Sequence, residues 1–178
     1  MVKVYTSTTD NQPANADVIY AYNPVGAVDT LRYGESSGNF VVELPYQYNV
    51  REWLTDIGNV GSAALPFNAR YTYFANGNIQ ESEYRNTASP LEPRYRYAYT
   101  YDNANRLLSA DYRYYSGSWQ NPTRFDVSGL QYDKNGNILY LTRRKENNAI
   151  IDQLTYNYTT DANRLASVAD AISVMVKF

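Results

Sequence analysis

Cysteine and histidine are both absent from this sequence of 178 residues. Without them the chain has no disulfide, no thiol nucleophile, no imidazole base and none of the ligands that structural zinc sites favour. Carboxylates, hydroxyls and amines are the polar groups that remain. We therefore expect no metal site and no cofactor.

Strong charge of either sign is lacking as well, because 16 lysines and arginines stand against 18 aspartates and glutamates, for a net charge of −2. Nucleic-acid binding needs a basic surface that neutralises phosphate, so we expect no nucleic-acid partner. No stretch approaches the roughly 18 apolar residues of a membrane-spanning helix, and the first residues lack the apolar core of a signal peptide. We expect no membrane span, and composition alone assigns no compartment.

Tyrosine is abundant, with 20 residues against 2 methionines. Apolar residues form 44% of the chain, which is enough for a modest core. Tyrosine favours strands with half-buried faces over a dry aliphatic interior. The composition predicts an all-β protein, and the length predicts a single domain over residues 1–178.

One pattern, Tyr-x-Tyr followed by a polar turn and an aliphatic residue, recurs six times, with Leu130 in place of the first tyrosine once. The alternation places both rings of a copy on one strand face. The spacing suits one hairpin plus a connection, which predicts an array of about six antiparallel β-hairpins in a curved, twisted sheet. The predicted repeats lie near residues 20–31, 46–57, 71–82, 99–110, 130–141 and 156–168. Their second tyrosines are Tyr22, Tyr48, Tyr73, Tyr101, Tyr132 and Tyr158.

The turns follow a rule of their own. Four residues after the second tyrosine the copies have Gly26, Glu52, Gly77, Asn105 and Gly136, with Asn163 after one extra residue in the last copy. Glycine and asparagine tolerate positive φ, so this position should adopt the left-handed conformation. Two residues later stand Val28, Leu54, Ile79, Leu107, Ile138 and Leu165. A three-residue loop would pair each tyrosine with this aliphatic residue, whereas a two-residue loop would place them on opposite faces.

The residue directly after the second tyrosine is Asn or Asp in four copies, at Asn23, Asn49, Asp102 and Asp133. Such side chains bond the backbone two residues further on and begin a turn. The preferred register also places Asp102 opposite Arg106, an exposed pair of small energetic value.

Two segments have a second interpretation. Val50, Trp53, Leu54 and Ile57 have helical spacing, so residues 49–59 could form a short amphipathic helix, and residues 162–171 are weakly helical. The repeat register favours strands for both. Residues 86–93 and 116–122 are rich in Asn, Ser, Gly and Pro, which predicts loops between repeats. Residues 146–148 are polar and are predicted to form a turn.

At residues 99–107, 132–138 and 158–165 the sequence resembles the YD-repeat (Rhs, rearrangement hotspot) family, whose motif is Tyr-Asp followed by a Gly or Asn turn and Leu or Ile. The resemblance covers about residues 20–170 and is strongest from Tyr71 onward. The family includes bacterial Rhs and insecticidal-toxin components and the animal teneurins, in which a long antiparallel β-ribbon spirals into a hollow shell around a toxic or processed C-terminal domain.

This resemblance implies a non-catalytic scaffold: a segment of a secreted or cell-surface shell that encapsulates or presents an effector domain. Its partners would be further YD repeats or the enclosed domain of a larger parent protein. Six repeats are too few to close a shell, and the family's self-cleaving aspartyl-protease segment has no counterpart here, so neither autoproteolysis nor toxicity is carried over. We expect a fragment of a larger protein.

The residues bear on three other functions: catalysis, glycan binding and self-association. The aspartates recur at turns, one per repeat, which is typical of structural groups and not of a paired catalytic site. A row of exposed tyrosines could instead bind glycans by stacking, and the candidate rings are Tyr95, Tyr97, Tyr112 and Tyr114; the alternative is that these rings pack the sheet. The apolar alternation of residues 172–178 predicts that the chain either self-associates through an edge strand or curls its sheet so that the tyrosine face becomes a core.

Overall fold

The computed structural model describes residues 2–4, 17–36, 39–61, 65, 67–86, 94–159 and 163–172, and within these it contains strands and no helix. The strands are β1 Val2–Val4, β2 Val18–Tyr22, β3 Val28–Ser36, β4 Asn39–Tyr48, β5 Leu54–Ile57, β6 Phe67–Tyr73, β7 Ile79–Asn86, β8 Arg94–Tyr101, β9 Leu107–Ser116, β10 Ser118–Gln120, β11 Val127–Tyr132, β12 Ile138–Arg144, β13 Ile150–Tyr158 and β14 Leu165–Asp170. The six repeats correspond to β2–β3, β4–β5, β6–β7, β8–β9, β11–β12 and β13–β14, numbered here as hairpins 1 to 6. The predicted all-β fold is confirmed.

The chain divides into two compact units. The first comprises Met1–Thr72 and Glu83–Arg94, and the second Tyr73–Ser82 and Tyr95–Phe178, so the two halves of β7 belong to different units. In the first unit the antiparallel order is β1-β2-β3-β4-β5-β6. In the second it is β8-β9-β11-β12-β13-β14, with β10 on β9. A single domain over residues 1–178 stays a prediction.

The turns have the predicted geometry. Positive φ values occur at Gly26 (87°), Glu52 (62°), Gly77 (94°), Asn105 (61°), Gly136 (90°) and Asn163 (48°). The tyrosine and the aliphatic residue are direct partners at Tyr22 and Val28, Tyr48 and Leu54, Tyr101 and Leu107, Tyr132 and Ile138, and Tyr158 and Leu165. Hairpin 3 has the same turn bonds, from Phe74 N to Asn78 O (2.9 Å) and from Gly77 N to Phe74 O (3.0 Å).

Neither helical alternative forms. Glu52 takes the left-handed position although its side chain does not favour it, and the following residues form β5. Residues 165–170 form β14. In both places the cross-strand partners supplied by the repeat outweigh local propensity, which is a weak preference when a strand partner is present.

A one-residue register shift follows the tyrosine–aliphatic pair at the same place in hairpins 1, 2, 4, 5 and 6. In hairpin 4, Tyr101 is opposite Leu107 but Thr100 is already opposite Ser109. This β-bulge allows Tyr97 to lie opposite Tyr112, which an unbroken register would not permit. A bulge also increases the local twist of the sheet.

One predicted loop is wrong in part, and other predicted segments lie outside the described residues. Part of the predicted loop 116–122 is wrong, because Ser118–Gln120 forms β10, which pairs with the end of β9 after a turn at Gly117 (φ 72°). Trp119 stabilises this pairing by packing edge-on against Tyr115 at 5.5 Å between ring centroids. Residues 87–93, 160–162 and 173–178 lie outside the described residues, as does most of the proposed sticky strand.

Each of the two compact units buries only a few of its described apolar residues. The buried apolar residues described are Ile19, Leu44, Val60, Ala69, Ala110, Tyr112 and Leu130. One fully buried polar group, Asn68, fixes the loop after β5: its Oδ1 accepts a hydrogen bond from Asn59 N (2.7 Å), and its Nδ2 donates to Leu65 O (3.3 Å). Gly58, next to this site, has a φ of +65° and donates its N–H to Pro45 O at 2.8 Å.

Candidate functional site: the contacts between repeats

The second tyrosine of a repeat donates its phenol hydroxyl to a backbone carbonyl of the preceding repeat. In the four bonds described, the acceptor is the aliphatic residue that stands two positions after the left-handed turn residue. We call this contact the phenol–carbonyl bond. Among the described residues it joins Tyr48 to Val28 (2.8 Å), Tyr101 to Ile79 (2.9 Å), Tyr132 to Leu107 (2.6 Å) and Tyr158 to Ile138 (3.0 Å).

Because a bulge interrupts the ladder of backbone bonds, it provides a carbonyl that a side chain can use. Burial raises the pKa of Tyr48, Tyr101 and Tyr132 above the usual value for a phenol, so these hydroxyls stay protonated and can donate at neutral pH. Phenylalanine would fill the same space without this bond. The hydroxyl therefore explains why the motif uses tyrosine.

The Asx residue organises its turn by accepting two backbone bonds. Asp102 Oδ1 accepts from Ala104 N (2.8 Å) and Arg106 N (2.9 Å), and Asp133 Oδ1 accepts from Asn135 N (2.8 Å) and Asn137 N (2.9 Å). Asn23 and Asn49 form the same pair of bonds in the first unit. Only the first bond of each pair was predicted.

Neighbouring turns of the second unit also bind one another. Asn105 Oδ1 accepts from the Nδ2 atoms of Asn76 (2.7 Å) and Asn78 (3.1 Å) in the preceding turn. Two repeats later, Asn163 Oδ1 accepts in the same way from Asn135 and Asn137. The backbone of the left-handed asparagine thus closes its own turn, and its side chain binds the turn of the preceding repeat.

Arg106 joins the turns of hairpins 4 and 5. It pairs with Asp102 at 2.7 Å as predicted, donates from Nη1 to Asp133 O at 2.9 Å, and lies over the Tyr132 ring at 4.7 Å. One side chain therefore covers the ring whose hydroxyl donates to Leu107.

Arginine–carboxylate pairs connect the adjoining strands of consecutive hairpins on the surface. Arg32 is the direct partner of Glu43, Asp56 of Arg70, and Arg143 of Asp152. Arg94 with Glu83 and Arg96 with Glu81 link β7 to β8 within their respective units. The three direct pairs are exposed and stabilise little, although they favour one register over its alternatives. The two pairs between β7 and β8 are part-buried.

The four rings proposed as a glycan platform are packed together. Tyr112 is only 5% exposed and lies 5.5 Å from Tyr97 and 6.2 Å from Tyr95, measured between ring centroids. Burial raises the pKa of Tyr112 to about 12. The Arg124 guanidinium lies over the Tyr114 ring at 4.8 Å. These rings do not form an open, flat platform.

Asp126 is a carboxylate that is 8% exposed. Burial raises its pKa, and its Oδ1 accepts a hydrogen bond from Tyr112 N at 2.7 Å. Its backbone carbonyl accepts from Arg144 N at 3.0 Å. These contacts hold the insertion between hairpins 4 and 5 against β9 and β12.

Within the described residues, no three or more Asp, Glu, Cys or His side chains are grouped so that they could hold a metal ion. No helix there is long and apolar enough to cross a membrane.

We expect Tyr132→Phe to lower the free energy of unfolding by about 1 kcal/mol, because it removes the hydroxyl and leaves the Leu107 carbonyl without that donor. Tyr101→Phe and Tyr158→Phe should each have an effect of the same size. The measurement is urea denaturation. Tyr156→Phe is the control, since Tyr156 occupies the first tyrosine position of the repeat; an equal loss in this control would contradict the role of the phenol–carbonyl bond.

Acid should weaken the turns. Hydrogen bonds from Arg106 and Asn137 hold the pKa values of Asp102 and Asp133, respectively, below the usual range. A lowered pKa in the folded state stabilises the fold fully above the unfolded value, about pH 4, and this contribution is lost as the pH falls through the folded value.

The test replaces both aspartates with asparagine, which forms the same turn bonds at Asn23 and Asn49. Urea denaturation between pH 7 and pH 2 should show the unfolding free energy of the unmodified chain falling more steeply in acid than that of the variant. Parallel pH dependences would contradict this assignment.

No protein-family model matches the chain, and no curated protein sequence matches it. Two similar solved structures are a crystal structure of TcdB2-TccC3-TEV and a structure of the Photorhabdus luminescens Tc holotoxin pore that carries a TccC3 mutation. Each has a TM-score of 0.45 and 14% identity, over 82% of this chain and 10% of the other. The chain thus spans a tenth of the length of each.

Proposed function

We propose that this chain is a non-catalytic scaffold, a segment of a YD-repeat (Rhs) β-shell that encapsulates or presents an effector domain of a larger protein. The observation that carries the proposal is the phenol–carbonyl bond, which recurs between consecutive repeats with the same donor and acceptor positions. An array in which each repeat contacts the next repeat through the same bond can be extended by adding repeats. Walls and shells require this property.

The use of the charged groups supports a structural role. Asp102 and Asp133 hold turns, Asp126 closes an insertion, and Glu81 and Glu83 pair with arginines. A screen of hydrolase substrates should therefore find no turnover. Turnover that is abolished by Asp126→Asn would refute the non-catalytic assignment.

The test of the shell uses the native polypeptide. An antibody raised against the purified chain should capture, from the source cells, a secreted or surface-exposed polypeptide much longer than 178 residues. After limited proteolysis, the repeat region and the effector domain should elute together in gel filtration at a constant ratio. Capture of a polypeptide of 178 residues, or separate elution of the two parts, would refute the proposal.

A further inference from the structure

We propose that the outer edge of β14 binds one further hairpin of the same repeat, whose second tyrosine donates its hydroxyl to the Leu165 carbonyl. This inference rests on the proposed function and adds the chemistry by which the next repeat is recognised. The occupant is a YD hairpin outside the six described here.

Leu165 occupies the acceptor position of the phenol–carbonyl bond. It pairs with Tyr158, and the register shifts directly beyond that pair, as it does beyond Ile138 and Leu107. No tyrosine hydroxyl among the described residues reaches the Leu165 carbonyl, whereas those of Ile138 and Leu107 each accept one. The sixth repeat therefore presents an acceptor of the same kind that is still open.

The surface around this acceptor is exposed. All six residues of β14 are exposed, and the exposed fractions of Leu165 and Val168 are 47% and 45%. The equivalent Ile138 and Leu107 are half-buried beneath the next repeat. Within the described residues β14 pairs only with β13, so its other edge has backbone groups available to a new strand.

Arg164 provides a second, independent indication. It follows the left-handed Asn163 as Arg106 follows the left-handed Asn105. Arg106 covers the tyrosine of the next repeat and donates to a carbonyl of the next turn. Arg164 has Thr159 in place of an aspartate partner, and its side chain is exposed. It is thus positioned to cover the incoming tyrosine in the same manner.

The test extends the chain. Residues 145–170 contain the loop before β13 and hairpin 6, so a second copy of them, joined after Asp170, supplies a seventh hairpin with its own connection. The reference is the chain that ends at Asp170. Amide hydrogen exchange measured by NMR should show the outward N–H groups of β14 at least tenfold more protected in the extended chain.

Three variants of the extended chain identify the contact. Tyr158→Phe in the added copy should reduce the gained protection about fivefold, which corresponds to the loss of one hydrogen bond. Arg164→Ala in the original copy should also reduce it. Tyr156→Phe in the added copy is the matched control and should leave the gain unchanged.

Two results would overturn the inference. The first is that the tyrosine contributes no protection: either the β14 amides exchange equally fast in the extended and the reference chain, or they are equally protected in the extended chain with and without Tyr158→Phe in the added copy. The second is concentration-dependent protection of the same amides in the unextended chain, which would identify a second copy of this chain as the occupant. Either result can occur while the native polypeptide is still long and holds its effector domain, so failure here is distinguishable from failure of the proposed shell.

Discussion

Gly58→Ala is expected to lower the free energy of unfolding by about 2–5 kcal/mol. Two causes add. An alanine held at a φ of +65° costs about 1–2 kcal/mol. Its Cβ would also overlap Asn68 Oδ1 and approach Leu65 Cδ1 at 3.0 Å. Asn68 is fully buried, so moving it away from Asn59 N leaves unsatisfied polar groups, at about 1–3 kcal/mol.

The turn glycines provide matched controls, because they share the positive φ but not the crowding. Gly26 and Gly136 have φ values of +87° and +90°, and a Cβ at either would meet no atom within 4 Å. Gly26→Ala and Gly136→Ala should therefore cost only about 1–2 kcal/mol each. Urea denaturation measures all three variants. Equal losses at Gly58 and Gly136 would show that Asn68 can move without cost.

The second large effect is expected at Tyr112→Ala, at about 3–5 kcal/mol, the range found for truncating a buried aromatic side chain. The ring contacts Tyr95, Tyr97 and Phe125, and the cavity left behind would be enclosed by these rings. The backbone bond from Tyr112 N to Asp126 is kept in the variant, so the measured loss reports packing.

Tyr22→Ala is the control for this substitution. Tyr22 belongs to the same repeat pattern but is 45% exposed, so its truncation should cost less than about 1 kcal/mol. The melting temperature and urea midpoint of both variants give the comparison. A Tyr112→Ala protein as stable as the Tyr22→Ala protein would mean that the tyrosine cluster is not a core.

The turns could be predicted because their chemistry is local. Positive φ is accessible to few residue types, so a recurring Gly or Asn identifies the position, and the paired aliphatic residue then fixes the loop length. At Glu52 the two kinds of evidence disagree: glutamate disfavours the left-handed conformation, whereas its place in the repeat predicts it. The structure follows the repeat, with a φ of 62°. Register information summed over six copies outweighed one residue's preference.

The bulge was not predicted, although the sequence contains its signal. Tyr97, Tyr101 and Leu107 have odd numbers, whereas Tyr112, which must face Tyr97, has an even number. Strict alternation cannot place all of them on one face. A change of parity along the returning strand therefore required one extra residue between Leu107 and Tyr112.

The phenol–carbonyl bond was also missed, because its acceptor is a backbone atom of another repeat and carries no mark in the sequence. One sign was available. The second tyrosine is Tyr in all six copies, whereas the first position accepts Leu130. A position that needs only a large apolar group would tolerate such an exchange. The constancy of the second tyrosine therefore indicates that its hydroxyl has a partner.

The pairing of tyrosine with the aliphatic residue at each turn has a consequence for how a hairpin tolerates a change in loop length. In a sheet with uninterrupted pairing, one inserted residue would turn every later side chain of that strand to the opposite face. Here the two strands of a hairpin pair again at the tyrosine and the aliphatic residue directly after the turn, whatever the length of the loop. The sixth turn already has one residue more than the others, yet Tyr158 still meets Leu165 and Tyr156 still meets Val168. The extra residue of the sixth turn is therefore absorbed within its own hairpin, and the pairing of the two strands is left unchanged.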